Sequence, residues 1–300
     1  ADPLTADKVK TMAYIGLESE GLRQQVADYY NCMARLDDLV GELLAKLKAS
    51  GKYDDTLIVY MGDHGADLIR GKRTCYEGGV RVPLIVRLPK GKAGQECREL
   101  VSSLDLFPTF LEMSGAEPVP DLPGSSLLPL LRGEKPKWRQ YMPTEFHLHS
   151  AHNYYPQRAI RNDRYKLIEN LQPGEVDPGY EFTVNRFFGQ QVLAALPRAP
   201  KKVQVAYALM KRPPKYQLYD LQMDPYEFVN LAKDPAHRSA FDELSTELTR
   251  WRRATHDPLL NQDNVSRLKA EIDAIRQGND FNKAKIGQWK YPEYFFKKGN

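Results

Sequence analysis

Asp63, His64 and Lys72 combine the residue types and the spacing that chemistry needs. Asp63 and His64 directly follow Leu57–Met61, a short, fully apolar run that stops at Gly62. Such a run predicts a strand buried on both faces of a parallel sheet. Open α/β sheets bind ligands in the crevice beyond the carboxyl ends of their strands, so an acid and an imidazole placed there can point into a site. Lys72 and the glycine pair Gly78 and Gly79 lie between this run and a second one, Val82–Val86. A cation beside permissive backbone, next to two potential metal ligands, suits an anion. Singly, each residue has a plainer reading: the Asp caps a turn, the His is packed, the Lys is solvated.

The stretch Gly-Asp-His-Gly at 62–65, with Gly-Lys-Arg-Thr-Cys-Tyr-Glu-Gly-Gly-Val-Arg-Val-Pro at 71–83, resembles the second signature region of the sulfatases, members of the alkaline phosphatase superfamily. The resemblance implies that Asp63 and His64 complete a divalent metal site, calcium first and manganese or zinc after it, and that Lys72 contacts the sulfate and acts in catalysis. Calcium prefers oxygen donors, which suits Asp63, while the His64 imidazole is the softer ligand.

The elements that must position these residues are legible on either side. Leu22, Val26, Tyr29, Met33, Leu36, Val40, Leu43 and Leu47 recur in steps of three and four, which predicts one amphipathic helix over about 21–50, ended by Gly51. With the strand at 57–61 it reads as the αβ half of a βαβ unit. Asp105 is placed to cap a helix over Leu106–Met113, with Pro108 in its first turn and Gly115 beyond its end. The segments 158–169 and 216–232 have the alternation of antiparallel strands, with Asp224-Pro225 as a turn. A helix over 235–253 would cover that sheet with Phe241, Leu244, Leu248 and Trp251.

Glu145, His147, His149 and His152 fall within eight positions. Their spacing fits no regular ligand pattern on a helix, and in a strand only His147 and His149 share a face. The three histidines are candidate substrate contacts, with a structural zinc or an ordinary polar loop as alternatives. The stretches 152–161 and 251–258 resemble the sulfamidase branch of the sulfatases, which acts on N-sulfoglucosamine; the chain departs from that branch in carrying Lys72 for Arg and His64 for Asn. The resemblance weakens over roughly 171–215 and from Asn261 onward.

The fold implied is α/β: an alkaline-phosphatase-like parallel-sheet sandwich, present as its C-terminal part over 1–140, then a small α+β antiparallel-sheet subdomain over 141–260 and an extension over 261–300. A sulfated sugar or glycosaminoglycan is the expected substrate. A net charge of +4 without a long basic run gives no nucleic-acid face, and no apolar run is long enough for a membrane span. The polar start at 1–10 does not read as a signal peptide. Cys32, Cys75 and Cys97 are too few and too irregular for a disulfide framework or a zinc cluster.

In the sulfatases the nucleophile is a formylglycine made within Cys-x-Pro-x-Arg; none of the three cysteines lies in that motif, and the usual pair of N-terminal Asp ligands is also missing. The chain therefore resembles the C-terminal part of a sulfatase, expected to be inactive by itself. A non-catalytic glycan-binding remnant and a metal-dependent phosphate ester hydrolase are the alternatives. Family habit implies export, to the periplasm or outside a bacterial cell or to an animal lysosome, and a homo-oligomer is compatible.

Overall fold

The structure, a computed structural model, describes residues 2–149, 153–185, 189–277 and 290–295. In chain order the elements are α1 (Glu20–Ala49), β1 (Ile58–Met61), α2 (Glu77–Val80), β2 (Leu84–Arg87), α3 (Leu106–Ser114), α4 (Leu128–Leu131), β3 (Met142–Phe146), β4 (Gln157–Arg161), β5 (Tyr165–Asn170), α5 (Pro178–Val184), α6 (Gly189–Ala195), α7 (Lys201–Lys211), β6 (Tyr216–Asp220), α8 (Arg238–Ala254), α9 (Gln262–Gln277) and α10 (Tyr291–Phe295). The chain divides into two units: residues 1–4, 27–63 and 82–142 form the first; residues 5–26, 64–81 and 143–300 form the second.

In the first unit β1 pairs with β2, from Ile58 opposite Arg87 to Met61 opposite Leu84. The pair is antiparallel, which corrects the parallel arrangement expected of this segment. Parallel return needs a crossover of a dozen or more residues with a helix packed on the sheet. The segment joining β1 to β2 holds only the single turn α2, so the chain comes back antiparallel. Nor is β1 buried on both faces: all four of its residues are half-exposed.

The same incompleteness shows on α1. It runs 30 residues and ends at Gly51, whose φ of +71° is the left-handed geometry that closes a helix. Its apolar stripe is buried only at the start, at Leu22 and Val26; Met33, Leu36, Leu39 and Leu43 are exposed. An open groove of about 620 Å³ lies between α1 and the β1–β2 pair, lined by Met33, Leu36, Val40, Tyr60, Ile85 and Arg87 among others. Among the described residues of this unit the fully buried apolar side chains are Ala27, Leu127 and Leu128.

Asp105 does not cap α3 as expected. Its carboxylate accepts from the backbone N–H groups of Ser102 (2.7 Å) and Ser125 (2.9 Å) and from both Nη atoms of Arg139 (2.6 and 2.5 Å). It therefore ties three loops together. Helix α3 itself spans Leu106–Ser114 and ends, as expected, at Gly115.

The second unit holds the four-stranded sheet in the order β3-β4-β5-β6. β4 and β5 are antiparallel with Ala159 opposite Ile168, and β5 and β6 with Leu167 opposite Leu218. The largest apolar cluster joins Ile15, Leu17, Leu22, Val26, Leu68, Ile69, Tyr76, Ile168, Tyr207 and Tyr219 with side chains from α5, α6 and α7. Helix α8 buries Leu244 and Leu248. Each contributes about 2 kcal/mol by its burial, which decides the matter for a 17-residue helix that would be marginal alone. A second cluster packs α9 and α10 on Tyr154, Leu171 and Leu259. The described parts of the segments that gave little sequence signal, 171–185, 189–215, 261–277 and 290–295, are thus structural parts of this unit.

Candidate functional site

The loop that carries Lys72 is built by backbone packing on itself. Gly65 N–H donates to Gly79 O at 2.9 Å, Lys72 N–H to Ala66 O at 2.9 Å, and Gly71 N–H to Leu68 O at 3.0 Å. A β-carbon on Gly65 would lie 1.8 Å from Gly78 O, and one on Gly71 would lie 2.2 Å from Ala66 O, so only glycine permits this closure. Arg70 (φ +62°) and Arg73 (φ +72°) flank Gly71-Lys72 in left-handed conformations that cost about 1 kcal/mol or more each for a residue with a side chain. Strain of that kind persists only where the surroundings over-determine it.

The surroundings are the sheet of the second unit. Cys75 N–H donates to Gln157 Oε1 (3.2 Å), and Glu77 N–H to Glu227 Oε2 (2.7 Å). The Glu77 carboxylate receives Arg161 Nη1 at 2.6 Å and Lys166 Nζ at 3.0 Å. Burial pushes Glu77 upward, but Lys166 and Arg161 outweigh it and hold the carboxyl below its ordinary value. Lys72 is half-buried, and among the described residues its ammonium has no carboxylate partner. A fixed cation without a counter-ion is the electrostatic requirement of an anion site.

His149 belongs to the same neighbourhood. Partial burial lowers its imidazole below the ordinary value, the positive charges of Lys72 and Arg73 lower it further, Asp67 opposes them, and His64 adds to the lowering. Lys72 and His64, both singled out from sequence, thus lie near enough to His149 for their charges to act on its ring. Asp67 and Arg73 join them as an ion pair, with the Arg73 guanidinium 5.5 Å from the Phe182 ring. Sequence reasoning missed this pair; the only available signal was the basic residue adjoining Lys72.

His147 is placed elsewhere. β3 ends at Phe146, so strand alternation does not carry through to His149, whose N–H donates to Asn153 Oδ1 at 2.9 Å in the following loop. His147 Nε2 lies 3.7 Å from Glu145, and burial followed by the Arg158 charge lowers its pKa to about 4. His147 thus sits with the buried Arg158–Asp257 group. His152 lies outside the described residues.

Asp63 and His64 are exposed, immediately after β1. His64 Nδ1 lies 2.8 Å from Gly65 O. A carbonyl can only accept, so Nδ1 carries the proton and Nε2 is the ligating atom of the neutral ring. An acid and an Nε2 imidazole fit part of a divalent site. Among the described residues no three His, Cys, Asp or Glu side chains gather as a cage. The cysteines do not fit a formylglycine: Cys75 is buried, and burial pushes its thiol up to about 12, while Cys32 and Cys97 are exposed outside the required motif.

Comparison with known proteins bears on family and fold. Residues 3–116 match the Sulfatase family model, and residues 62–181 match the model for N-sulphoglucosamine sulphohydrolase, C-terminal. The chain belongs to the sulfatase family. Among sulfatase relatives, an ulvan-active sulfatase of Formosa agariphila is 31% identical over 252 residues, covering 80% of this chain and 40% of that protein. Human N-sulphoglucosamine sulphohydrolase is 31% identical over 257 residues, covering 79% of this chain and 49% of that protein. The solved structure of BT1596, a 2-O GAG sulfatase, superposes with a TM-score of 0.61 at 24% identity, over 82% of this chain and 46% of that one, so the fold is the mixed α/β fold of that family. The chain spans less than half the length of these sulfatases.

Proposed function

We propose that this chain is the carboxyl-terminal portion of a metal-dependent sulfatase acting on sulfated sugars of the N-sulfoglucosamine kind. The observation that carries the reading is Lys72, on a strained, glycine-closed loop and without a carboxylate partner among the described residues, with His64 on the same loop and His149 approaching from the loop after β3. Hydrolysis of a sulfate ester or sulfamate spreads negative charge over the sulfuryl oxygens. A lysine ammonium held against them supplies several kcal/mol of preference for that charge. His149, whose imidazole is held below its ordinary value by partial burial and then by its cationic neighbours, can hydrogen-bond a sugar hydroxyl beside Lys72. Asp63 and His64 Nε2 are the two ligands this chain would give to a divalent ion, calcium foremost, whose chemistry when bound is to polarise the sulfuryl oxygens.

The remaining ligands and the formylglycine nucleophile are assigned to an amino-terminal portion. The bare apolar faces of α1 and the β1–β2 pair support this. A layer with so few buried apolar side chains cannot hold itself together and needs another polypeptide layer on it. The decisive experiment measures binding of D-glucosamine N-sulfate to the chain by calorimetry. Lys72→Ala should weaken it about tenfold or more, in line with loss of a charge-assisted contact. Equal affinity of the Lys72→Ala variant would sink the assignment.

A further inference from the structure

We propose that Arg70 is a positioning residue for Lys72, anchoring the Lys72 loop to two distant backbone segments through a buried guanidinium. This rests on the reading of Lys72 as the sulfate contact. Lysine has a flexible four-carbon stem, so where its ammonium goes depends on how firmly its backbone is held. That backbone turns through two left-handed residues, Arg70 and Arg73, and needs an anchor close by.

Arg70 has the geometry of one. It is 2% exposed, and its Nε donates to Tyr14 O at 3.0 Å. Its Nη2 donates to Tyr226 O and Glu227 O, both at 2.9 Å. The guanidinium packs 4.4 Å from the Tyr76 ring centre and 5.0 Å from that of Phe228. Among the described residues no carboxylate bonds to it, and its buried Nη1 lacks a hydrogen-bond partner.

The choice of residue is informative. An apolar side chain of similar volume would fill the cavity without the desolvation cost of a charge. What it could not supply is a rigid planar fork that fixes three carbonyls from residues 14, 226 and 227 in one plane of reference. Glu227 is itself left-handed, with φ +59°, so the fork grips two strained turns at once, its own and the one at 226–227. Arg70 is buried away from solvent and acts on the anion only through the loop it holds.

The test uses the full 300-residue chain with Arg70→Lys, Lys72→Ala and the double variant, and D-glucosamine N-sulfate as the probe. Arg70→Lys keeps the charge and loses the fork. Hydrogen exchange at the Gly71 and Lys72 amides should quicken at least tenfold while the Leu167 and Ile168 amides of β5 stay protected. Probe affinity should fall roughly tenfold in Arg70→Lys, yet Arg70→Lys should cost nothing further once Lys72 is already Ala, the non-additivity expected of residues acting as a unit. Unchanged loop exchange, or losses that add in full, overturns the proposal. If Arg70→Lys also unprotects β5, Phe228→Leu is read instead: it removes one ring from the stack, and it must loosen the same two amides for the proposal to stand. Lack of probe binding by the unmodified chain would refute the sulfated-sugar reading, while the exchange result decides the anchor by itself.

Discussion

Arg158 and Asp257 are joined by two hydrogen bonds in the interior of the second unit, Nε to Oδ2 at 2.9 Å and Nη2 to Oδ1 at 2.8 Å. They belong to the two sequence stretches, 152–161 and 251–258, that most resemble the sulfamidase branch. Ninety-nine positions apart, these stretches are halves of one ion pair. Arg252 also donates to Asp257 (2.7 Å) and to Glu169 (2.7 Å), so the C-terminal end of α8 is bound to β4 and β5 by charge. Burial pushes Asp257 upward, but the two arginines outweigh it and hold the carboxyl below its ordinary value. Asp257→Ala takes the shared carboxylate from two buried guanidiniums, leaving Arg158 only the longer contact with Glu145, and should cost about 3 kcal/mol. Urea denaturation checks this; a loss under 1 kcal/mol would mean that Glu145, 3.3 Å from Arg158, takes over the pairing.

Stability below neutral pH should reflect two opposed groups. His147 has its folded pKa lowered to about 4 by burial and Arg158, against 6.5 for an ordinary imidazole. Between those values the unfolded chain binds the extra proton, so stability is lost as pH falls through the window, by up to roughly 3 kcal/mol. Asp177, which caps α5 through Gly179 N–H at 2.7 Å, has its carboxyl raised by burial to about 7 from 3.8. There the folded chain binds the extra proton, and stability is lost as pH rises through 3.8 to 7. The two slopes oppose each other over pH 4 to 6.5. Asp177→Asn keeps a capping oxygen and removes one slope, so melting temperature in that variant should fall more steeply on acidification than in the unmodified chain. His147→Gln should do the reverse. Melting curves from pH 7 to pH 4 that match in all three proteins would refute both assignments.

How much of this was readable from residue order depended on whether one face of an element finds a partner within this chain. α8, β4, β5 and β6 were legible because Leu244, Leu248, Ile168 and Leu218 are each buried inside the second unit, so periodicity and burial coincide. α1 and β1 were legible as elements, and β1 was misjudged as buried on both faces, because hydrophobic patterning reports what a side chain needs and not whether the covering layer is present. The cluster of Lys72, His64 and His149 was half-visible: motif spacing marked its members, while Asp67 and Arg73 carry no periodic signal. Arg70 was invisible, since a buried loop arginine bonded to carbonyls looks in sequence like any solvated one. His147 and His149 were grouped by alternation, and the end of β3 at Phe146 separates them.

The exposed stripe of α1 should make the chain prone to associate through its first unit. Leu39 and Leu43 are 62% and 66% exposed, and Ile85 on β2 is 64% exposed. An apolar surface of that kind recruits a hydrophobic dye and other apolar faces. Leu39→Gln with Leu43→Gln should cut dye binding several-fold and leave the melting temperature within a degree or two, because neither side chain contributes to a core. Supplying the amino-terminal portion of a sulfatase domain should quench the dye signal of the unmodified chain, and less so that of the double variant. Dye binding unaffected by either change would place the apolar surface elsewhere.

Metal affinity tests the last pair of residues. With one carboxylate and one imidazole, this chain should bind calcium only at about millimolar concentration, the range of sites with few protein ligands. Asp63→Ala removes the one carboxylate of the proposed pair and should abolish detectable binding by calorimetry. His64→Ala should leave calcium affinity within a few-fold of its starting value yet lower affinity for zinc or manganese more strongly, because an imidazole nitrogen favours the softer ions. His64→Asn, which restores an oxygen donor, should shift selectivity toward calcium. If Asp63→Ala binds calcium as well as the unmodified chain, the ion is held by other groups and the assignment of Asp63 fails. If His64→Ala weakens calcium and zinc equally, His64 acts by orienting the loop through Gly65 O and not as a ligand.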